Sequence, residues 1–169
     1  MALCNSLNKS SPTNYQLIFP LIPNESTISA SNPLMLNIFS SVIPGVTLGE
    51  LERDWQGQKN KVAVSPLIFE SWNVNFVVDS LFANWKTMFS WMNYINNNND
   101  VHMEEYNNYS VDASLKIMDN FRTDIIEIKF ISVWPTSISE ITMSQREGDI
   151  LLECNASFNY DYYEVKDIQ

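Results

Sequence analysis

The feature that most constrains this chain is strict two-residue alternation through its C-terminal third. Tyr109, Val111, Ala113, Leu115 and Ile117 are apolar, while Ser110, Asp112, Ser114 and Lys116 between them are polar. Successive side chains of a strand point to opposite faces, so this spacing predicts a strand with one face in a core and the other in water. Asp119-Asn120-Phe121-Arg122 reads as a turn, after which Ile126, Ile128 and Phe130 resume the alternation against Glu127 and Lys129. A last, longer strand is expected to place Ile150, Leu152, Cys154, Ala156, Phe158, Tyr160 and Tyr162 on one side. Its other side would carry Glu153, Asn155, Ser157, Asn159 and Asp161. Antiparallel hairpins with one wet face satisfy this pattern.

The rest of the chain fits around that β unit. Asn14–Phe19 reads as a first strand, stopped by Pro20 and Pro23, which cannot donate to a ladder. Leu34–Ile43 is a second apolar run, ended by the turn signal Pro44-Gly45. From 46 to 65 the ends are apolar and the centre is polar, which predicts two extended arms meeting in a hairpin that projects from the body. An arm with so little core of its own needs a neighbour to order it. Trp72, Val74, Phe76 and Val78 mark another half-buried strand, and Asp79 stands where a helix N-cap belongs. Leu81, Trp85, Met88, Met92 and Ile95 then recur at helical spacing, giving one helix over 80–95 that the Asn96–Asp100 run ends.

The chain has 169 residues, enough for one domain with a core and too few for two ordinary ones. The expected organisation is a flexible leader over 1–13, one domain over 14–165 and a short tail over 166–169. The fold class is mainly β (α+β): an antiparallel sandwich or small barrel with one flanking helix and a long projecting hairpin. No stretch is as apolar as a membrane span, and the first residues lack the pattern of a secretion signal, so no membrane-spanning segment is expected.

Charge is unevenly spread. Residues 1–99 carry six acids and five bases, and residues 100–169 carry fourteen acids and five bases. A C-terminal part with net charge −9 repels phosphate, so sequence-specific nucleic-acid binding is excluded as a function class. Such a surface still suits one that nucleic acid must pass without sticking.

Candidates for chemistry are weak. His102 with Glu104 and Glu105 has the composition of a metal site but reads as a solvated loop. Glu104/Glu105 and Asp149/Glu153 lack a second group of matched environment for acid–base work. Cys4 and Cys154 form no CxxC or Cys/His cluster, and one His leaves little room for a triad. No cofactor and no catalytic residue is therefore assigned. Among the helix aromatics Trp85, Phe89, Trp91 and Tyr94, core or subunit contact outweighs ligand stacking; Trp91, off the main stripe, is assigned to an intersubunit contact or to the core.

Read in order, these features resemble the tail-tube proteins of contractile-tailed, T-even-like bacteriophages. Asn14-Tyr15-Gln16-Leu17 is similar to that family's opening strand. Val42-Ile43-Pro44-Gly45 is similar to its strand end before a long hairpin, and Trp72–Asp79 followed by Trp85–Tyr94 to its strand–helix unit. Most specific is Ile131–Ile138, with a Trp-Pro-Thr turn at 134–136, followed by Glu140-Ile141, Asp149 and a strand ending at Tyr160-Asp161-Tyr162. The resemblance spans about residues 14–165.

What the resemblance implies is a structural virion protein with no chemistry of its own. It would form homohexameric rings whose strands join into a ring-wide β-barrel, stacked as the inner tube of a contractile tail through which DNA is ejected. Implied partners are further copies of itself, the tail sheath protein, a baseplate tube initiator, a tail terminator, and phage DNA that passes the lumen unbound. Its place would be the phage tail, assembled in the host bacterial cytoplasm. The ring-stacking arm would use Glu50, Glu52, Arg53, Asp54, Trp55, Lys59 and Lys61, whose charges could pair across a ring interface. The lumen-facing candidates are Ser110, Asp112, Ser114, Glu153, Asn155, Asn159 and Asp161. Two alternatives stand beside this reading. One is a baseplate tube initiator of the same fold, which Glu52-Arg53-Asp54-Trp55 resembles at least as closely; the other is an acidic β-sandwich that binds a protein partner as a monomer.

Overall fold

The computed structural model describes residues 12–19, 37–97, 109–144 and 151–168. Nine strands occur among them: β1 Tyr15–Ile18, β2 Ile38–Ser41, β3 Val46–Trp55, β4 Gln58–Phe69, β5 Trp72–Val77, β6 Val111–Met118, β7 Asp124–Ile138, β8 Glu153–Asn159 and β9 Tyr162–Asp167. The helix α1 spans Ala83–Asn97 between β5 and β6. All pairings are antiparallel.

Seven strands are connected in the order β1-β6-β7-β8-β5-β2, with β9 also on β7. The long strand β7 belongs to two layers. Its first half lies between β6 and β9, and its second half pairs with β8. The switch occurs at Ser132, which takes φ 56° where the β6–β7 register slips; its backbone N–H is held by the Asp112 carboxylate at 3.2 Å. A bulge bends a strand in this way and lets one chain segment serve two sheets. Among the described residues the sheet does not close into a barrel.

The core forms where the inward rows of the two layers meet. Leu17, Ala113, Leu115, Ile128 and Phe130 come from one layer; Trp72, Val74, Phe76, Cys154, Ala156 and Phe158 come from the other. Burying these period-two positions is what the alternation predicts. The ring of Trp72 stacks on Phe130 with centroids 4.2 Å apart and planes at 10°, and its Nε1–H donates to Ser41 Oγ at 3.0 Å.

Several expectations are corrected at their edges. The last strand is two strands: Asp161 donates its N–H to the Ile131 carbonyl, and beyond it the phase slips, so Tyr163 turns inward while Tyr162 is exposed. Trp134-Pro135-Thr136 is not a turn but part of β7, because pairing with β8 overrides the turn preference of proline. The turn at Asp119–Arg122 is present, with Asp119 Oδ1 accepting the N–H groups of Phe121 and Thr123. Pro20, Pro23, His102, Glu104, Glu105 and Asp149 lie outside the described residues.

The helix is rotated from its expected stripe. It buries Asn84, Thr87, Met88 and Trp91, whereas Leu81 precedes it and Phe89 is half exposed. Asp79 is not its N-cap: Phe82, at φ 56°, stands before the first turn and its carbonyl accepts the Lys86 N–H. Asn84 displaces the expected apolar contact because its side chain fastens helix to strand. Its Nδ2 donates to the Val77 carbonyl at 2.7 Å, and its Oδ1 accepts the N–H groups of Asp79 and Trp85. Asn84→Ala is expected to destabilise the domain by about 1–3 kcal/mol, since buried backbone groups lose their partners. Urea unfolding would measure it; a loss below about 0.5 kcal/mol would remove this account of the helix rotation.

Candidate functional site

The arm is a separate two-stranded sheet, β3 on β4, joined by Gln56-Gly57. Both turn residues have positive φ, 50° and 79°, the primed geometry whose twist matches the flanking strands. A bulge breaks the ladder between Leu48 and Gly49, opposite Ser65-Pro66. Gly49 has no Cβ there because one would stand 3.2 Å from the Val64 carbonyl oxygen.

Above the bulge, register sorts the arm into two faces. On one, Glu50, Glu52 and Asp54 lie across from Ala63, Lys61 and Lys59. The ion pairs run diagonally, Lys61 to Glu50 and Lys59 to Glu52, and all four groups are solvent-exposed. Pairs so exposed add little stability. The other face places Leu51 directly across from Val62, Gly49 across from Val64, and Arg53 beside Trp55, with the guanidinium 5.7 Å from the Trp55 ring. Leu51 is 60% exposed, Trp55 57% and Val62 46%. A two-stranded ribbon is marginal in water, so this one presents an apolar face that nothing in the chain covers among the described residues.

All seven expected arm residues therefore lie on the arm, but they do not form one surface. Arg53 and Trp55 share the apolar face, and the acids and lysines occupy the other. Leu51, Val62 and Val64 were missed. The signal for them was present: Leu51, Arg53 and Trp55 alternate with Glu50, Glu52 and Asp54.

The lumen candidates divide in the same way. Asp112 and Ser114 lie on the outer face of the β1-β6-β7-β9 layer, with Ser110 just before β6; Glu153, Asn155 and Asn159 lie on the outer face of β5 and β8, with Asp161 in the link to β9. The first face is a lattice of opposite charges. Lys116 meets Asp124 at 2.9 Å and Lys129 meets Asp112 at 3.0 Å, while β9 adds Glu164 and Lys166. Burial opposes ionisation of Asp112, but hydrogen bonds from Lys129 and the Ser132 N–H outweigh it and hold its carboxyl below the usual range. Hydrogen bonds to Asp124 and Asp112 hold the Lys116 and Lys129 ammonium groups above theirs.

The second face is a ladder of neutral side chains. Asn155 Nδ2 donates to Asn75 Oδ1 at 2.7 Å, Ser157 Oγ to Asn73 Oδ1 at 2.6 Å, and Ser71 Oγ to Asn159 Oδ1 at 2.9 Å. Asn73 and Asn75 were missed, although they alternate with Trp72, Val74 and Phe76.

Of the two places expected for Trp91, it occupies the core. It is 0% exposed, and its Nε1–H donates to the Tyr109 carbonyl at 2.8 Å, so no surface remains for an intersubunit contact. Phe89 of α1 is half exposed and stacks on Trp85, which itself packs against the core, with centroids 5.2 Å apart.

At the base of the arm, Tyr160 donates its hydroxyl to the Glu70 carbonyl at 2.8 Å, and Phe69 packs edge-on against Tyr160 and Tyr163. Burial, with smaller effects of Tyr163 and Glu70, pushes the Tyr160 hydroxyl up to about 12. Because the folded value lies above the unfolded one, near 10, the stability it adds is complete below pH 10 and is lost as pH rises towards 12. The urea midpoint is expected to fall across that window, and to fall less in Tyr160→Phe; equal slopes would exclude Tyr160 as the cause.

Among the described residues no group of three or more His, Cys, Asp or Glu could hold a metal ion, and no helix is long and apolar enough to cross a membrane.

A sequence profile of the family described as phage tail tube protein matches residues 10–166. None of the curated proteins matches the chain. Solved structures share its fold at low identity. A chain of the PVC extracellular contractile injection system sheath/tube terminator in its extended state is 12% identical, with TM-score 0.62 over 94% of this chain and 96% of that one. A chain of the anti-feeding prophage baseplate is 9% identical, with TM-score 0.60 over 92% of both. A chain of the PVC sheath–tube complex in the extended state is 12% identical, with TM-score 0.56 over 95% and 93%.

Proposed function

From the premise that the chain belongs to the phage tail tube protein family, we propose that it forms hexameric rings that stack into the inner tube of a contractile tail, through which DNA is ejected. Its role is that of a structural tube component of the phage tail. The observation that carries the assembly reading is the arm, whose apolar face is exposed in the single chain and whose opposite face carries both signs of charge. Seated on the next ring, the apolar face leaves water and the charges gain partners in a lower dielectric.

In this reading the chain does no chemistry. Its partners are copies of itself, a sheath protein around the tube, an initiator at the baseplate, a terminator at the far end, and DNA that passes without specific binding. Subunits are made and assembled in the host cytoplasm. Strand pairing between neighbours closes the open sheet into a ring-wide barrel, which removes edges that would otherwise aggregate.

Negative-stain electron microscopy of the concentrated protein, with light scattering on the same sample, tests the proposal. Six-fold rings or stacked tubes are expected. Single rings that seat on a baseplate but never extend would reassign the chain as a tube initiator of the same fold. A compact monomer at every concentration would favour the binding-module reading.

A further inference from the structure

The sandwich has two outer sheet faces, and a ring-wide barrel turns only one of them to the channel. We propose that the channel wall is the neutral Asn/Ser face of β5 and β8, and not the ion-paired face of β6, β7 and β9. This inference rests on the hexameric tube reading and decides a question that reading leaves open.

Face chemistry is the first argument. Across β2, β5 and β8, register aligns Ser40, Asn75 and Asn155 in one row; Asn73 and Ser157 align with Ser137 of β7 in the next. Asn75, Asn155, Asn73 and Ser157 bond to one another in pairs, so these groups have fewer donors to offer a passing phosphate. Among the described residues of these rows there is no lysine or arginine, and Glu153, at the end of β8, is the one charged side chain of that strand's outer row. The opposite face carries Lys116, Lys129 and Lys166, all partly solvent-exposed. A lysine in a channel exchanges its carboxylate for a phosphate and releases a counterion, which pins DNA rather than passing it. Among the described residues of these rows the wall is thus neutral amide and hydroxyl, with Glu153 as its carboxylate, instead of the acidic strand pair expected from composition.

The edges give a second, independent argument. Closing a barrel across subunits uses the free edges of the lumenal layer. The free edge β2 and the segment after it carry Phe39, Val42 and Ile43, each about half exposed. An edge so apolar is a liability unless a neighbour covers it. The other layer has two free edges: β1, which is four residues long and uncharged, and β9, which sets Glu164, Lys166 and Asp167 beside its own half-exposed Tyr162 and Val165. By contrast, β2 and the segment after it carry no charge at all; charges of the kind on β9 guard an edge that stays unpaired.

Thiol accessibility in assembled tubes tests the assignment. In a Cys4→Ser chain, where Cys154 is buried, Ser157→Cys marks one face and Ser114→Cys the other; Ser137→Cys and Gln16→Cys repeat the comparison at exposed positions. The probe is a maleimide attached to a folded carrier protein too wide to enter a tube, applied before and after assembly, with micrographs of the same samples. Loss of labelling on assembly at Ser157→Cys and Ser137→Cys, with labelling retained at Ser114→Cys and Gln16→Cys, is the expected result. Six-fold tubes with any other pattern overturn the choice of face and leave the tube reading standing. Absence of six-fold particles overturns the tube reading, and the choice of face falls with it.

Discussion

Trp72→Ala is expected to remove about 3–5 kcal/mol, a large part of the stability of a domain this size. Trp72 is wholly buried at the point where the two layers touch. Besides the face-to-face stack on Phe130, its ring meets Phe19 and Phe158 with centroids about 5.5 Å away, and its N–H ties β2 to β5 through Ser41. Truncation leaves a cavity that backbone ladders on both sides keep from collapsing, and Ser41 loses its donor. Urea unfolding followed by circular dichroism would read the loss. Trp55→Ala, at the exposed tip of the arm, is the control and should stay within about 0.5 kcal/mol of the parent in the monomer. A Trp72→Ala loss below about 1 kcal/mol would show that the core is not organised around this ring.

The second large effect separates folding from assembly. Leu51→Glu combined with Val62→Lys replaces a directly opposed apolar pair by opposite charges, so the hairpin keeps its cross-strand attraction. Neither residue packs in the core, so the unfolding midpoint is expected to hold. Assembly is expected to fail. Full burial of a Leu or Val side chain is worth about 1.5–3 kcal/mol, Leu51 and Val62 are each about half exposed before docking, and every 1.4 kcal/mol is tenfold, so losing both raises the concentration needed for stacking by at least about tenfold. Sedimentation of the variant over a concentration series measures this directly. Stacking at the parent's concentration would mean that the apolar face of the arm is not an interface.

Legibility differed between the fold and the surfaces. The arm was readable because its ends are apolar and its centre polar; the inward rows of β5, β6 and β8 were readable because their apolar residues recur at period two. The helix face was readable in part, since Met88 is buried and Trp85 and Ile95 pack against the core. Helical spacing favoured Leu81, Trp85 and Met88, yet the buried positions are Asn84, Thr87, Met88 and Trp91, since the hydrogen bonds of Asn84 to β5 outweigh an apolar contact there. The candidate surfaces were legible as polar positions but not as groups. Asp112 and Glu153 look equivalent along the chain and lie on different layers.

Sequence by itself determined the local alternatives. Period two made strands, Pro44-Gly45 and Asn-rich segments ended elements, and positive-φ turn residues folded the arm back on itself, because each depends on backbone sterics and side-chain direction within a few residues. Tertiary structure decided how those pieces share space. A bulge at Ser132 sends β7 from one layer into the other, a bend at Asp161 divides the terminal strand, and the two polar faces come to point away from each other. These outcomes turn on pairings between residues tens of positions apart, whose energies are set by the partner strand and not by the neighbouring residues.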